Sequence, residues 1–548
     1  MLSATDIHLA RGGQLVLGGV SVSVGPRSRI GLVGPNGVGK TTFLGILAGS
    51  VTPDRGRVDR APAGMTVGLL PQEREARGGE DVRAFLARRT GVAAAEAAFD
   101  ALTERLASDA SEATLGAYSD ALDTFLALGG DDFDARLGAV LDDVGLPVRA
   151  LDVEVGSLSG GQQARASLAA LLLSRFDVFL LDEPTNDLDF AGLDRLERFL
   201  AGLAGGVVVV SHDRAFLDAT IDRVLEIEPG TKRAAEHAGT WSDWQAARDL
   251  TRRQASAGYE AYVGERSRLR QRLQSQRTWA VTGVAKAKKS PKDNDKKAAG
   301  FSENRTEKLA GKVKITERTL ERLERDAVDK PFEPWELKLS FGDPGRSGDD
   351  VCRLDGAVVH LGTPPRGFVL GPVDLDLGWQ DRVVVTGPNG GGKSTLLAAL
   401  LGTVDLASGS RRLGPGVVVG TLDQSRAMFC GPTPTMAAFT GATGLEGSEP
   451  RSLLAKLGLG ADHIARAGAD LSPGERTRAM LGVLVARGVN LVVLDEPTNH
   501  LDVEAIEQLE LALDAYAGTL VVVTHDRRLL ESLRITRQIE VVNGHLAG

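Results

Sequence analysis

Cysteine is almost missing from this chain: its 548 residues carry only Cys352 and Cys430. Two thiols cannot build a disulfide framework, so nothing calls for an oxidising compartment. Long apolar runs are missing too. The longest are strand-sized, such as Val207-Val208-Val209-Val210 and Leu520-Val521-Val522-Val523, whereas a membrane-spanning helix needs about 18 apolar residues or more. A chain with its own membrane span is therefore excluded. With no charged n-region followed by an apolar h-region at the N-terminus, a cytoplasmic protein without membrane insertion is expected. The length suits about three or four domains on the usual size prior.

What is present is a phosphate-handling set written twice in the same order. The first copy runs Gly34-Pro35-Asn36-Gly37-Val38-Gly39-Lys40-Thr41, Gln72, Leu158-Ser159-Gly160-Gly161-Gln162, Leu181-Asp182-Glu183-Pro184 and His212. The second runs Gly387-Pro388-Asn389-Gly390-Gly391-Gly392-Lys393-Ser394, Gln424, Leu471-Ser472-Pro473-Gly474-Glu475, Leu494-Asp495-Glu496-Pro497 and His525. Each opening octet fits G-x-x-x-x-G-K-[ST], in which glycines let backbone N–H groups curl around phosphates and the lysine reaches the terminal ones. The apolar stretches Arg29–Val33 and Arg382–Thr386 read as strands feeding these loops, and Thr42–Leu47 and Thr395–Leu400 as helices leaving them. Phosphate would then sit at a helix N-terminus, where unpaired amides and the macrodipole favour an anion.

The runs Val178-Phe179-Leu180-Leu181 and Leu491-Val492-Val493-Leu494 read as strands buried on both faces, each ending in Asp-Glu. Carboxylates there are costly unless they have a task. Asp182 and Asp495 are placed to hold Mg2+ near the phosphates, and Glu183 and Glu496 to accept a proton from attacking water.

Leu-Ser-Gly-Gly-Gln makes the chain resemble the ATP-binding cassette superfamily, over both halves. The resemblance implies an α/β fold of two phosphate-loop nucleotide-binding domains. It implies ATP bound by residues 34–41, Thr42, Gln72, residues 387–394, Thr395 and Gln424, with Mg2+ on Thr41, Gln72, Asp182, Ser394, Gln424 and Asp495. His212 and His525 become the switch histidines at the γ-phosphate, and Asp189 and Asp502 the D-loop residues. In this superfamily the signature loop of one cassette closes over ATP held by the other. Ser472 and Gly474 would thus complete the Lys40 site, and Ser159, Gly160 and Gly161 the Lys393 site, so one monomer can build a two-ATP sandwich by intramolecular pairing.

The phosphate-loop lysines lie 353 residues apart and the two glutamines 352, but the signatures, Asp-Glu pairs and histidines lie 313 apart. The first copy therefore holds an insertion between Gln72 and Leu158. From about 73 to 146 its Ala, Leu, Glu and Arg recur at helical spacing. It reads as a helical subdomain, either lengthened cassette helices or a dedicated contact arm.

Between the cassettes the charge changes sign. From Arg252 to Arg325 there are 20 Lys plus Arg and 9 Asp plus Glu, in a chain of net charge −9. A concentrated basic element points to a polyanionic partner. Leu309, Val313, Thr316, Leu320, Leu323 and Ala327 recur every three or four residues, as do Tyr259, Tyr262, Arg266, Leu269 and Leu273, so two helices should pair as an antiparallel coiled coil. The first helix, from about Trp244 to Thr278, would be on the order of 50 Å long. Gly283, Pro291 and Gly300 should break helix and leave a lysine-rich tip. The expected division is 1–240, first cassette; 241–334, hairpin; and 335–548, second cassette.

This arrangement resembles the F subfamily of ABC proteins, twin-cassette ATPases of the ribosomal E site whose hairpin approaches peptidyl-tRNA and the peptidyl-transferase centre. The resemblance implies a 70S ribosome partner, contacting rRNA and peptidyl-tRNA. Trp241 and Trp244 occupy aromatic positions this family fills before its linker. Within it, Lys292–Lys297 and Arg305–Ala310 resemble linkers of actinobacterial resistance members, which favours ribosomal protection against antibiotics over a housekeeping translation role. A transporter ATPase docking on separate membrane subunits would leave the basic hairpin unexplained. The iron–sulfur recycling relative needs more cysteines than two. Some positions depart from the pattern: Leu9–Gly13 holds no aromatic residue to stack adenine, leaving Arg11 in that place. Asp187 replaces a D-loop histidine, and the second signature carries Pro473 and Glu475. Unequal turnover at the two sites is expected.

Overall fold

The structure is a computed structural model and describes residues 1–71, 77–288, 296–328, 345–362, 367–422, 427–499, 501 and 503–547. It divides into two compact units, one holding Met1–Trp241 with Trp335–Gly548 and the other Ser242–Pro334.

In the first unit each cassette is built on a six-stranded sheet. The first runs in the order Val67–Leu70, Val178–Asp182, Gly206–Val210, Arg29–Val33, Arg223–Ile227, Ala234–Ala238, parallel except for its last strand. The second repeats this order with Val419–Leu422, Leu491–Asp495, Thr519–Val523, Arg382–Thr386, Arg537–Val542 and His545–Ala547. Val178–Asp182 and Gly206–Val210 are buried at every residue, as unbroken Val/Leu runs covered on both faces require. A three-stranded antiparallel sheet flanks each: Leu2–Arg11 between Gln14–Val24 and Arg55–Arg60, and Asp350–Leu361 between Phe368–Gly378 and Ser408–Leu413. Between each pair of sheets lies the phosphate-loop helix, with Phe43, Leu44 and Leu47 in the first core and Leu396, Leu397 and Leu400 in its counterpart.

The stretch from 82 to 144 of the first cassette is helical: Val82–Arg89, Val92–Leu106, Glu112–Ala127 and Phe133–Val144. Phe99 joins two of these helices by meeting Tyr118 and Phe125 at ring separations of 5.2 and 5.9 Å. The second cassette has the shorter helices Thr435–Thr443, Glu449–Lys456 and Ala461–Ala465 in its place. Among the described residues no helix is long and apolar enough to cross a membrane.

The second unit is an antiparallel helical pair. Arg270 Nη2 donates to Glu324 Oε1 at 2.7 Å and Arg277 Nη2 to Glu317 Oε1 at 2.6 Å. Thr316 Oγ1 donates to Gln276 Oε1 at 3.0 Å inside the seam. As the residue number rises along the first helix the partner's number falls along the second, which fixes the antiparallel direction. Leu269, Gln276 and Thr316 are buried, in line with the spacing of the apolar seam.

One expectation is corrected. The first helix runs from Trp241 to Lys288, 48 residues or about 72 Å, and the second from Lys296 to Arg325. Gly283 and Gly300 therefore lie inside helices. A glycine costs a helix only about 1 kcal/mol against alanine, too little to end one already committed by many paired turns. Residues 289–295, with Pro291 among them, lie outside the described residues.

Candidate functional site

Each phosphate loop is shaped by glycines that nothing else could replace. At Gly34, φ is +148° and a Cβ would lie 2.8 Å from Ile227 O; at Gly387, φ is +134° and the same atom would lie 2.2 Å from Val541 O. The loops end at Gly39 and Gly392, both left-handed, which turn the chain into the helices Lys40–Ala48 and Lys393–Leu401. Lys40 Nζ donates to Gly34 O at 2.7 Å and Pro35 O at 3.2 Å. Lys393 Nζ donates to Gly387 O at 2.8 Å and Pro388 O at 3.2 Å. Each ammonium thus hangs over its own loop, and burial lowers the pKa of Lys393.

Asp182 and Asp495 end the buried strands beside these loops. Asp182 accepts from the Thr41 hydroxyl and Asp495 from that of Ser394, while burial raises both carboxyl pKa values. Asp182 Oδ2 is buried with no hydrogen-bond partner. A hydroxyl and a carboxylate at a phosphate loop form the hard oxygen set that suits Mg2+, so these residues fit that ion. Gln72, Gln424 and Asp502 lie outside the described residues.

The following glutamates share an unusual backbone. Glu183 has φ 53° and Glu496 φ 45°, a region that non-glycine residues enter at a cost and hold mainly at functional sites. The strain is over-determined by the sheet, since Glu183 N donates to Val210 O at 2.8 Å and Glu496 N to Val523 O at 2.9 Å. The turn brings each carboxylate to a histidine: His212 Nε2 lies 3.2 Å from Glu183 Oε1, and His525 Nε2 3.5 Å from Glu496 Oε1. Burial pushes Glu496 up to about 8, against the pull of Lys393. Burial and the same lysine push His525 down to about 4. At neutral pH His525 is therefore an uncharged imidazole.

A cavity of about 800 Å³ opens between the cassettes, with Ser159, Gly160 and Gly161 on one wall and Lys393, Ser394, Thr395, Asp495, Glu496 and His525 on the other. Asn389 joins the walls. Its backbone N–H donates to Asp189 Oδ2 at 3.0 Å, its Nδ2 to Asp187 O at 2.6 Å, and its carbonyl accepts from Arg165 Nη2 at 3.2 Å. A Cβ on Gly161 would lie 3.1 Å from that of Asn389, so the first signature helix and the second phosphate loop are packed face to face. In the first cassette a smaller cavity of about 70 Å³ is lined by Asp182, Glu183 and Arg89 among others. Lys40, Ser472 and Gly474 line neither cavity; Ser472 is an exposed N-cap that accepts from Glu475 N.

Two residues at the site carry no motif. Phe368, whose ring a Cβ on Gly392 would approach to 2.7 Å, lines the large cavity, and Phe190 sets its ring 5.0 Å from that of His525. The first stands at the start of a strand, Phe368–Gly378, and only the folding of that strand over the phosphate loop gives it a place at the site.

The ABC transporter family matches residues 17–186 and 370–499. The chain is 35% identical over 534 residues to the tylosin resistance ATP-binding protein TlrC of Streptomyces fradiae, covering 94% of this chain and 93% of that protein. It is 33% identical over 539 residues to the energy-dependent translational throttle protein EttA of Mycobacterium tuberculosis, covering 96% and 88%. Among solved structures, an RNase-L inhibitor superposes with a TM-score of 0.55 over 99% of this chain and 90% of its own, at 18% identity, a likeness of fold.

Proposed function

Because the chain belongs to the F subfamily of the ATP-binding cassette ATPases, we propose that it works on the ribosome, using ATP to drive its basic hairpin toward bound tRNA and the peptidyl-transferase centre from the E site. The observation that carries this reading is the hairpin itself. Residues 252–325 hold 20 basic and 9 acidic side chains in a chain of net charge −9, on two paired helices about 72 and 45 Å long by residue count. Such an element suits a target dense in phosphate. The division into cassettes at 1–240 and 335–548, with 241–334 between them, follows from the same reading.

ATP would lie on residues 34–42 and 387–395, with Mg2+ held by Thr41 and Asp182 in one site and by Ser394 and Asp495 in the other, and with Gln72 and Gln424 completing each set. The ion would supply charge neutralisation at the β- and γ-phosphates. Glu183 and Glu496 are the bases that take a proton from the attacking water, Glu496 only in its ionised form, which its raised pKa of about 8 makes the minority form at neutral pH. His212 and His525 hold those side chains in place beside the terminal phosphate, His525 as an uncharged imidazole. The signature residues Ser159, Gly160 and Gly161 close over the Lys393 site, and Ser472 and Gly474 over the Lys40 site. Binding of ATP therefore favours the closed pair of cassettes, and hydrolysis releases it.

Ribosomal protection against an antibiotic is supported by the tylosin resistance relative. A translation-factor role is the second reading, favoured by the translational throttle relative. Both imply a cytoplasmic protein. Glu183→Gln with Glu496→Gln is the test: ATP binding persists, hydrolysis falls about a hundredfold or more, and the protein co-sediments with 70S ribosomes. Absence from the ribosomal pellet under these conditions overturns the reading. Growth against a panel of ribosome-targeting antibiotics, with and without the gene, then separates resistance from a general translation role.

A further inference from the structure

The two switch histidines are held differently. In the first cassette His212 Nε2 lies 3.2 Å from Glu183 Oε1, and His212 N donates to Glu183 Oε2 at 3.3 Å. In the second, His525 is 8% exposed and lines the large cavity, yet neither of its ring nitrogens makes a hydrogen bond among the described residues. Glu496 Oε1 stands 3.5 Å from Nε2, beyond good hydrogen-bond range. A histidine ring at a working site commonly takes its orientation from a partner on one nitrogen. What the His525 ring meets instead is the ring of Phe190, edge to face, with centroids 5.0 Å apart and planes at 77°.

Phe190 comes from the opposite cassette, and its position is tied to the phosphate loop of the Lys393 site. It opens the helix Phe190–Gly202, whose N-cap, Asp189, accepts from Gly192 N with Oδ1 at 2.9 Å and from Asn389 N with Oδ2 at 3.0 Å. One carboxylate thus fixes the start of the helix to the second phosphate loop, and the next residue carries the ring. The offset of 313 residues that relates the two histidines carries Phe190 to Val503. An aliphatic side chain at that place has no ring to set against His212.

We propose that Phe190 is a positioning residue for ATP hydrolysis at the Lys393 site: its ring, supplied by the first cassette, holds the His525 imidazole toward the terminal phosphate. A polar side chain in its place would draw an imidazole nitrogen away from the cavity. A ring constrains the imidazole plane and leaves both nitrogens to the site. When the cassettes part, this support leaves with the first cassette, whereas His212 keeps the glutamate of its own. The proposal rests on the reading of His525 as the histidine at the terminal phosphate and needs nothing of the ribosome.

The test follows ATP hydrolysis by the full chain, one site at a time. Glu183→Gln leaves turnover to the Lys393 site, and Glu496→Gln leaves it to the Lys40 site. Phe190→Leu keeps bulk and removes the ring; Phe190→Val copies the counterpart position. In the Glu183→Gln background both lower kcat about five-fold, the scale of one aromatic pair, with KM for ATP unchanged. The Lys40 site, read in the Glu496→Gln background, loses far less. Phe190→Tyr, which keeps a ring, retains most of the rate. In protein isotope-labelled on its histidine rings, the nuclear magnetic resonance signal that vanishes in His525→Gln is shifted by Phe190→Leu, and the other histidine signals stay. Equal losses in the two backgrounds overturn the proposal, as does a rise in KM with kcat unchanged, because simple packing at the interface gives either result. An unmoved His525 signal overturns it too. His525→Gln in the Glu183→Gln background tells two failures apart. If it lowers kcat while Phe190→Leu does not, the positioning role alone fails. If it keeps the full rate, the place given to His525 at the phosphate fails and takes the proposal with it.

Discussion

Arg527 Nη1 donates to Glu197 Oε1 at 2.8 Å, joining the second cassette to the first. The pair has a mirror: Arg214 donates to Glu510 from the first cassette to the second. Arg214 and Arg527 are separated by 313 residues, and so are Glu197 and Glu510, the same offset that relates the two signatures. Each arginine lies two residues beyond a switch histidine, and each glutamate lies on the helix that follows a D-loop, Phe190–Gly202 or Val503–Ala515. The two phosphate sites are therefore joined by a reciprocal ionic link that uses no nucleotide. Symmetry is incomplete, because Arg528 pairs with Asp218 where the first cassette offers Ala215.

The two pairs should differ in weight. Arg214 is 5% exposed and Glu510 is partly buried, so Arg214→Ala strands a carboxylate in a dry interface, at a cost of about 3–5 kcal/mol. Arg527 and Glu197 are more open to solvent, and Arg527→Ala should cost nearer 1 kcal/mol. Urea denaturation of the single and paired alanine variants gives both values, with the coupling read from a double-mutant cycle. Equal losses at the two arginines would contradict the role assigned to burial.

These links show what a sequence conceals. The offset of 313 residues was visible, and so were the strands ending at Asp182 and Asp495, because unbroken Val/Leu runs have few alternatives to a buried parallel strand. The three-and-four spacing through Val313, Thr316 and Leu320 likewise announced the hairpin. Arg214 and Glu510 carried no such signal, since an arginine and a glutamate 296 residues apart meet only when two cassettes pack. Phe368 was equally silent, because its place at the cavity depends on how its strand crosses the phosphate loop. Gly283 misled in the other direction: its local preference is outweighed by the helical turns on either side.

Asp213 provides a pH test. It caps the helix Arg214–Thr220 by accepting from Phe216 N at 2.9 Å. Burial, with Asp526 nearby, raises its pKa from 3.8 to about 6, against the pull of Arg527. Because the folded value lies above the unfolded one, the native state holds the proton more tightly. The associated stability is fully present below about 3.8 and is lost as pH rises through about 6. Asn keeps the cap without the charge. Asp213→Asn should therefore gain up to about 3 kcal/mol at pH 7 or above and nothing near pH 3.5, measured by denaturation without nucleotide across that range. A gain independent of pH would remove the buried charge as its cause.

The cross-cassette cavity makes the signature serines separable. Ser159 lines the same cavity as Lys393, so Ser159→Arg should block nucleotide at the Lys393 site and leave the Lys40 site loaded. Ser472→Arg should do the reverse if the second signature serves the first phosphate loop. Photo-crosslinking with azido-ATP, followed by peptide mapping, assigns the label to Lys40 or Lys393. Loss of label in the mutated serine's own cassette would mean that each site is completed in cis.

Gly283 supplies the last test, and it bears on how far the hairpin stays rigid. The first helix continues through this residue to Lys288, so its backbone is already in the conformation alanine prefers. Gly283→Ala removes unfolded-chain freedom without opposing the native geometry, and should stabilise the hairpin by about 0.5–1 kcal/mol. The expected readout is a small rise in helical circular dichroism and slower proteolysis near the tip, with ATP hydrolysis unchanged because both cassettes are untouched. A turn at Gly283 would give the opposite result, since alanine would then resist the bend. Decreased helicity or faster cleavage in Gly283→Ala would therefore end the helix before this position and shorten the element available to reach a distant target.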